Sequence, residues 1–334
     1  MKYKFLYCVC FLSLLVSCNG GDKKPVRYEM VKEWSPISNL KIGNPTGIGV
    51  DSNQNIFIFH RANREWPLIG AMPSDFIKEQ TIIVLNRNGK LLNSWGENQF
   101  LMPHGLTIDE KDNVWVSDVG LHQIFKFSKD GKLLMTIGVA KVVGSDALHF
   151  NRPTDIAIAK DGSFYVSDGY GNSRIVKFSA KGKYLLEWGK KGMGVGEFNI
   201  PHSITLDKNG NVYVADRENK RIEVFNDKGK FLREIKNKAF GNICAVYYNE
   251  VSKQLIAVDD EVSWFGLKHN GSNVFIINID GSIVDQFGKA EFKAVGLKGW
   301  FHDVIADKYG NIYVGDILEN KVWKYVRKER VNKN

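Results

Sequence analysis

A unit of about fifty residues recurs six times along the chain, and a repeat of that length restricts the fold more than any other feature. Each copy opens with a short apolar run. It passes through a turn rich in Asp, Asn, Gly and Lys, then enters an alternating run that ends in Asp. His104-Gly105-Leu106-Thr107-Ile108 is followed by Val114-Trp115-Val116-Ser117-Asp118, and His202-Ser203-Ile204-Thr205-Leu206 by Val212-Tyr213-Val214-Ala215-Asp216. The same unit runs from Thr154 to Asp168 and from His302 to Asp316, and in all four copies the first and last positions are 14 apart. Thr46 to His60 keeps the spacing without the Asp, and a degenerate copy runs from about Ala245 to Asp259.

Each copy continues into a third strand such as Gln123-Ile124-Phe125-Lys126-Phe127, a Gly-containing turn, and a fourth strand such as Lys132 to Ile137. Four short strands per unit at this period describe a propeller blade. The 32 glycines supply the positive φ that tight hairpins need, and 12% aromatic residues suit strands. The predicted fold is all-β, a six-bladed β-propeller over residues 26–327. The sixth copy lacks a fourth strand before the chain ends. Tyr28 to Trp34 resembles the other fourth strands, so it is expected to complete the last blade and close the ring.

The first 17 residues read as a leader: Lys2 and Lys4 precede the apolar run Phe5 to Val16, which is too short to span a bilayer comfortably. It ends in Leu15-Val16-Ser17-Cys18, which looks like a bacterial lipobox. Cys18 is therefore the expected lipidation site. Residues 18–25 then form a tether, and residues 328–334 a tail. The expected location is the bacterial cell envelope, exported and lipid-anchored to a membrane. Cys8 and Cys10 would leave with the leader, and Cys244 in an apolar run reads as a small buried hydrophobe. The formal charge of +9 comes from lysines scattered among turns, with no basic stripe interleaved with aromatics, so nucleic acid is not an expected partner. A mild positive field would still favour an anionic substrate.

Three of the seven histidines share one register of the repeat: His104, His202 and His302, in copies two, four and six. In a six-bladed ring, alternate blades are related by about 120°, and first strands line the channel. Three imidazoles should therefore converge on the axis at one depth. Imidazole is a common Zn²⁺ ligand, and three protein ligands leave a position open, as in catalytic zinc sites. His60, His122, His149 and His269 fall outside this register: His60 at a strand end, His122 and His149 in loops or at blade edges, His269 in a polar turn. The antiparallel hairpin returns the end of strand two to the same face, so Arg61, Tyr170 and Arg217 should surround the mouth. Arg suits bidentate capture of a carboxylate. Tyr can act as a base when its pKa is lowered, and a metal with two cations would push it that way. Two long connections, Ala62 to Gln80 with Trp66 and Asp260 to Asn273 with Trp264 and Phe265, open on this face as candidate walls or lids.

At these residues the sequence resembles the peptidyl-α-hydroxyglycine α-amidating lyase family. The matching stretches are Phe59-His60-Arg61, Pro103-His104-Gly105-Leu106, Asp118 to Gln123, Ser167 to Val176, Pro201-His202-Ser203, Ala215 to Asn219 and His302-Asp303. The resemblance runs from about residue 40 to residue 326 and exceeds a general NHL-repeat pattern. It implies a zinc on His104, His202 and His302, and catalysis and substrate binding by Tyr170, Arg61 and Arg217. It further implies a structural calcium bound by Asp303 and by the backbone carbonyls of Ile48 and Leu106. The chain departs from the family in lacking its paired cysteines, with Gly171 and Tyr213 at two of those positions. Trp300-Phe301 also stands where the family has Met-Pro.

Three functional readings follow. The first is a metal-dependent lyase that splits a carbinolamide C–N bond to an amide and glyoxylate, acting as a monomer on a small-molecule or peptide substrate with a carboxylate. The second is a non-catalytic NHL-repeat propeller that binds a ligand or protein at the cell envelope. The third is a metal-dependent hydrolase.

Overall fold

A computed structural model describes residues 28–32, 34, 42–67, 71–263, 268–269 and 271–328. The leader, the tether with Cys18, the tail beyond residue 328, Trp264 and Phe265 lie outside the described residues.

Among these residues, six four-stranded antiparallel sheets form a ring. Their innermost strands are Pro45–Val50, Pro103–Ile108, Asp155–Ile158, Pro201–Leu206, Asn242–Asn249 and Phe301–Ala306. Each touches the innermost strand of the next blade, and Phe301–Ala306 touches Pro45–Val50, which closes the circle. Gly47 makes one such approach possible, because a Cβ there would lie 2.6 Å from the Leu106 nitrogen. The strands form because β-branched and aromatic residues dominate them and are buried on both faces of the second strands.

Six apolar cores fill the spaces between successive blades. Trp115 and Phe164 help fill the core between blades two and three, and Tyr213 and Phe275 that between blades four and five. The stretch Tyr28–Met30 pairs with Lys321–Arg327 and supplies the fourth strand of blade six. This strand is shorter than the sequence suggested. Its closure brings Trp34 against Tyr313 and leaves no open edge on that blade's third strand.

The acidic positions of the repeat explain the ordering of both faces. On the lower face, Asp109, Asp207 and Asp307 each accept the N–H of the residue four further on, Asn113, Asn211 and Asn311, closing the turn between strands one and two. On the upper face, the Asp that ends strand two is fully buried and grips the segment entering its blade. Asp118 accepts the N–H groups of Leu101, Gly120 and Leu121. Asp168 accepts Asn151 N–H and Arg174 Nε, and Asp216 accepts Asn199 N–H and Arg221 Nε. Arg174 and Arg221 then donate to carbonyls of the upper loops, at His149 and Glu197 among others.

Three sequence expectations change. The short helix Lys289–Ala294 was not foreseen, because a six-residue element carries too little periodicity to read. Lys268–His269 pairs with Val262–Ser263, so His269 lies in a small ladder rather than a turn. Copy five begins at Cys244, not Ala245. Ile243 pairs with Asp259 and Ala245 with Val258, leaving Cys244 at a bulge where copies four and six carry His202 and His302. The positions that hold cysteine in the related family are filled otherwise: Gly171 packs on the Asn151 side chain, and buried Tyr213 donates its hydroxyl to Asp207.

Replacing Arg174 by Met strands the buried Asp168 carboxylate without its cation, and is expected to cost about 3–5 kcal/mol in urea unfolding. Lys253→Met removes only an exposed pair with Glu250 and should stay within about 1 kcal/mol of wild type. Equal losses in the two variants would refute the clasp.

Candidate active site

A bulge at the start of five of the six first strands decides what reaches the axis. In copies one, four, five and six it isolates Thr46, His202, Cys244 and His302 between paired neighbours, and in copy two it spans His104. A bulge re-aims a side chain that regular pairing would direct elsewhere. Thr46, His104, Thr154, His202, Cys244 and His302 line one small space on the axis, one residue from each blade.

The three imidazoles converge as the repeat predicted. One nitrogen from each lies within 4.8 Å of the others, and all three residues are buried. The second nitrogen of each ring is already committed. His104 Nδ1 lies 2.8 Å from the Thr154 carbonyl, His202 Nδ1 2.6 Å from the Cys244 carbonyl, and His302 Nδ1 2.9 Å from the Thr46 carbonyl. A carbonyl can only accept, so Nδ1 carries the hydrogen and Nε2 presents a lone pair to the axis. Burial disfavours the charged rings: it pushes His202 down to about 3, and His104 and His302 well below the usual range, with the neighbouring rings and guanidinium groups adding to the effect. Neutral imidazoles, with Nδ1 held by a carbonyl and Nε2 convergent, form a donor set that could hold a metal ion.

Tyr170 closes the space from above. Its hydroxyl lies 3.1 Å from His104 Nε2 and 3.0 Å from His202 Nε2. Burial raises the phenol to about 12, while Arg217 and Arg61 pull it down. The expectation that cations lower this group holds for their direction, but among the protein's own groups burial outweighs them.

Arg61 follows strand two of blade one. It is buried, its Nε donates to the Pro103 carbonyl at 3.0 Å, and burial lowers its pKa to about 10. Trp66 stacks over its guanidinium, 5.2 Å from the ring centroid, and packs against Tyr170 at 4.9 Å. The connection from Ala62 thus supplies a wall of the site through Trp66. Arg217 opens the short 3₁₀ turn Arg217–Asn219 after blade four and donates to Asp260 Oδ2 at 2.6 Å.

Below the imidazoles, Asp155 and Asp303 enter the channel from opposite blades, three and six. Asp303 accepts the N–H groups of Ile48 and Val304, and Asp155 those of Ile156 and Ile204. Burial raises both carboxyls, Asp155 to about 6, and the charge of Asp155 raises Asp303 further. Two half-buried carboxylates that face the channel from opposite blades suit a hard cation between them. Ile48 meets Asp303 through its N–H, and Leu106 is a buried neighbour of Gly47.

Sequence reasoning missed Asp155, Asp260 and the thiol of Cys244. The thiol donates to Asp260 Oδ2 at 3.4 Å, so Cys244 is buried as expected but acts as a polar group. The doublet Asp259-Asp260 was the available signal: the first aspartate takes the clasp position of the repeat, which leaves the second for another purpose. The remaining histidines stay apart. His60 accepts Ala62 N–H, His122 accepts Arg152 N–H, and His149 pairs with Asp146.

Comparison with known proteins fits this geometry. A family model described as a 6-bladed beta-propeller matches residues 141–332, and an NHL-repeat model matches residues 100–127. Among solved structures, virginiamycin B lyase from Staphylococcus aureus superposes with a TM-score of 0.55 at 17% identity, covering 92% of this chain and 89% of that one. A gluconolactonase from Xanthomonas campestris gives 0.62 at 12% identity, covering 91% of each chain. Both likenesses speak to fold alone. The peptidyl-glycine alpha-amidating monooxygenase of Mus musculus is 40% identical over 90% of this chain, which spans about a third (32%) of that relative's length. The peptidyl-alpha-hydroxyglycine alpha-amidating lyase 2 of Drosophila melanogaster is 41% identical over 89% of this chain and 75% of its own length. With the propeller, the axial histidines and that extent of identity together, the chain belongs to the peptidyl-α-hydroxyglycine α-amidating lyase family.

Proposed function

We propose that the protein is a metal-dependent carbon–nitrogen lyase that converts a peptidyl-α-hydroxyglycine, or a similar carbinolamide, to an amide and glyoxylate. The observation that carries this reading is the Tyr170 hydroxyl poised over three convergent imidazole lone pairs. In the reaction the C–N bond breaks, the hydroxyl oxygen gives up its proton and becomes the aldehyde oxygen, and the leaving nitrogen gains a proton.

His104, His202 and His302 would hold zinc, while Asp303 and Asp155 suit a structural calcium. A divalent ion in the imidazole set would supply Lewis-acid polarisation of the hydroxyl oxygen and a positive charge beside the phenol. In its ionised form, its own proton having passed to solvent before the reaction as that positive charge would favour, Tyr170 takes the hydroxyl proton. It can return that proton to the departing nitrogen, so that no net proton is exchanged. Arg61 and Arg217 provide the positive field that draws the carboxylate end and offsets charge as the bond breaks. Trp66 covers Arg61 and Tyr170 and keeps water from their exposed side. The lipobox at Cys18 would place this chemistry at a bacterial envelope membrane.

Purified protein is expected to release glyoxylate from α-hydroxyhippurate. Tyr170→Phe should lower kcat by about 10²–10⁴-fold, the usual range for loss of an acid–base group. Metal-loaded protein that releases no glyoxylate would end the lyase reading. Elemental analysis should find about one zinc per chain in wild type. His202→Ala should lose it without losing the fold, as read by circular dichroism, and full zinc retention in that variant would refute the ligand assignment.

A further inference from the structure

The two guanidinium groups at the mouth stand in different electrostatic settings, and the difference comes from Asp260. Arg217 Nη2 donates to Asp260 Oδ2 at 2.6 Å, and its Nη1 lies 3.1 Å from Glu218 Oε1. Asp260 is 1% exposed, and the same Oδ2 accepts the Cys244 thiol, so the carboxylate is fixed from two sides. Its other oxygen, Oδ1, is buried without a hydrogen-bond partner among the described residues. Among the described residues no ring of backbone N–H groups disperses this charge, in contrast to Asp118. The Asp260 charge is therefore directed at Arg217.

Arg61 is placed otherwise. It is 3% exposed, its Nε is taken by the Pro103 carbonyl, and the Trp66 indole covers its face. Among the described residues no carboxylate lies within ion-pair distance of it. A buried guanidinium without a counter-ion keeps its full demand for an anion, whereas one hydrogen-bonded to a buried carboxylate has that demand met.

We propose that Asp260 is a positioning residue that fixes Arg217 beside Tyr170 as a charge-neutral pair and so leaves Arg61 as the receptor for the ligand's carboxylate. The role rests on the lyase reading for its purpose but not for its measurement. Arg217 sits across the blade four to blade five boundary from Asp260. Without Asp260, its guanidinium would keep only the more exposed Glu218 as a partner, and its freed Nη2 edge would compete with Arg61 for the carboxylate. A ligand held by Arg217 would be displaced from the pose that Arg61 sets, so binding would improve while turnover fell.

Hippurate, which has the carboxylate and amide but lacks the α-hydroxyl, reads the charge balance by calorimetry without any turnover. Arg61→Gln is expected to weaken hippurate at least about thirtyfold, an ordinary effect for a buried charge pair. Asp260→Asn should tighten it at least about threefold, and the double variant Asp260→Asn, Arg217→Gln should return to within about threefold of wild type. With α-hydroxyhippurate, Asp260→Asn should lower kcat without raising KM, and Asp260→Glu should recover part of the loss. Hippurate binding that is unchanged or weaker in Asp260→Asn overturns the proposal. So does a double variant that loses as much affinity as Arg61→Gln, and this comparison decides the matter if Asp260→Asn alone does not fold. A wild-type protein that binds hippurate but releases no glyoxylate removes the lyase reading and leaves this division of roles standing. One that binds no hippurate removes both.

Discussion

The hydrogen bond from each axial imidazole to the first strand of the next blade is the constraint on which the site depends. His104 reaches Thr154, His202 reaches Cys244, and His302 reaches Thr46. Even blades thus supply rings, and odd blades supply the carbonyls that fix those rings. Each bond sets a tautomer, orients a ring and ties two blades together at once. Three neutral imidazoles have no electrostatic reason to assemble in a buried channel. They are held there by the closure of the ring, which gives each carbonyl a fixed position relative to its imidazole. Removing one bond would free a ring to rotate and would loosen the tie between two blades.

The upper face is organised around buried charge. Burial raises the carboxyls of Asp118, Asp168, Asp216 and Asp316 above their usual range, yet each is surrounded by donors that favour the ionised form. These carboxylates anchor the segments that enter blades two, three, four and six, so the rim around Tyr170 rests on anchored segments. Arg61 is the exception, a buried charge whose observed contacts are a carbonyl and an indole. An uncompensated charge is costly for folding, and it persists where the neighbouring clasps can support it. The site can therefore present a cation with its attraction for anions unspent.

Much of this was legible in the sequence because the repeat converts position in the chain into position in the ring. His104, His202 and His302 share a register, and a ring of six turns that register into a trigonal point. Arg61, Tyr170 and Arg217 follow from the antiparallel return of strand two. What stayed hidden depended on contacts between blades. Cys244 was placed one residue late, because the bulge that sets its register is a feature of pairing and not of composition. Asp260 looked like part of a loop until Arg217 was found beside it. The raised phenol of Tyr170 required knowing how completely the site is buried, a quantity no residue list contains.

The channel separates two kinds of donor by depth, and this ordering bears on direction. Nitrogen donors lie at the upper level and oxygen donors, Asp155 and Asp303, lie below them. Below these carboxylates the channel is lined by apolar side chains such as Ile108, Ile158 and Leu206 together with polar and charged ones, Glu250, Asp307 and Lys308 among them. An anionic ligand approaching from the lower face would meet this mixed wall before it reached Asp155 and Asp303. From above it meets Arg61, Arg217 and the Tyr170 hydroxyl. The positively charged groups thus stand at the upper mouth, and an anionic ligand would be drawn to that end of the channel.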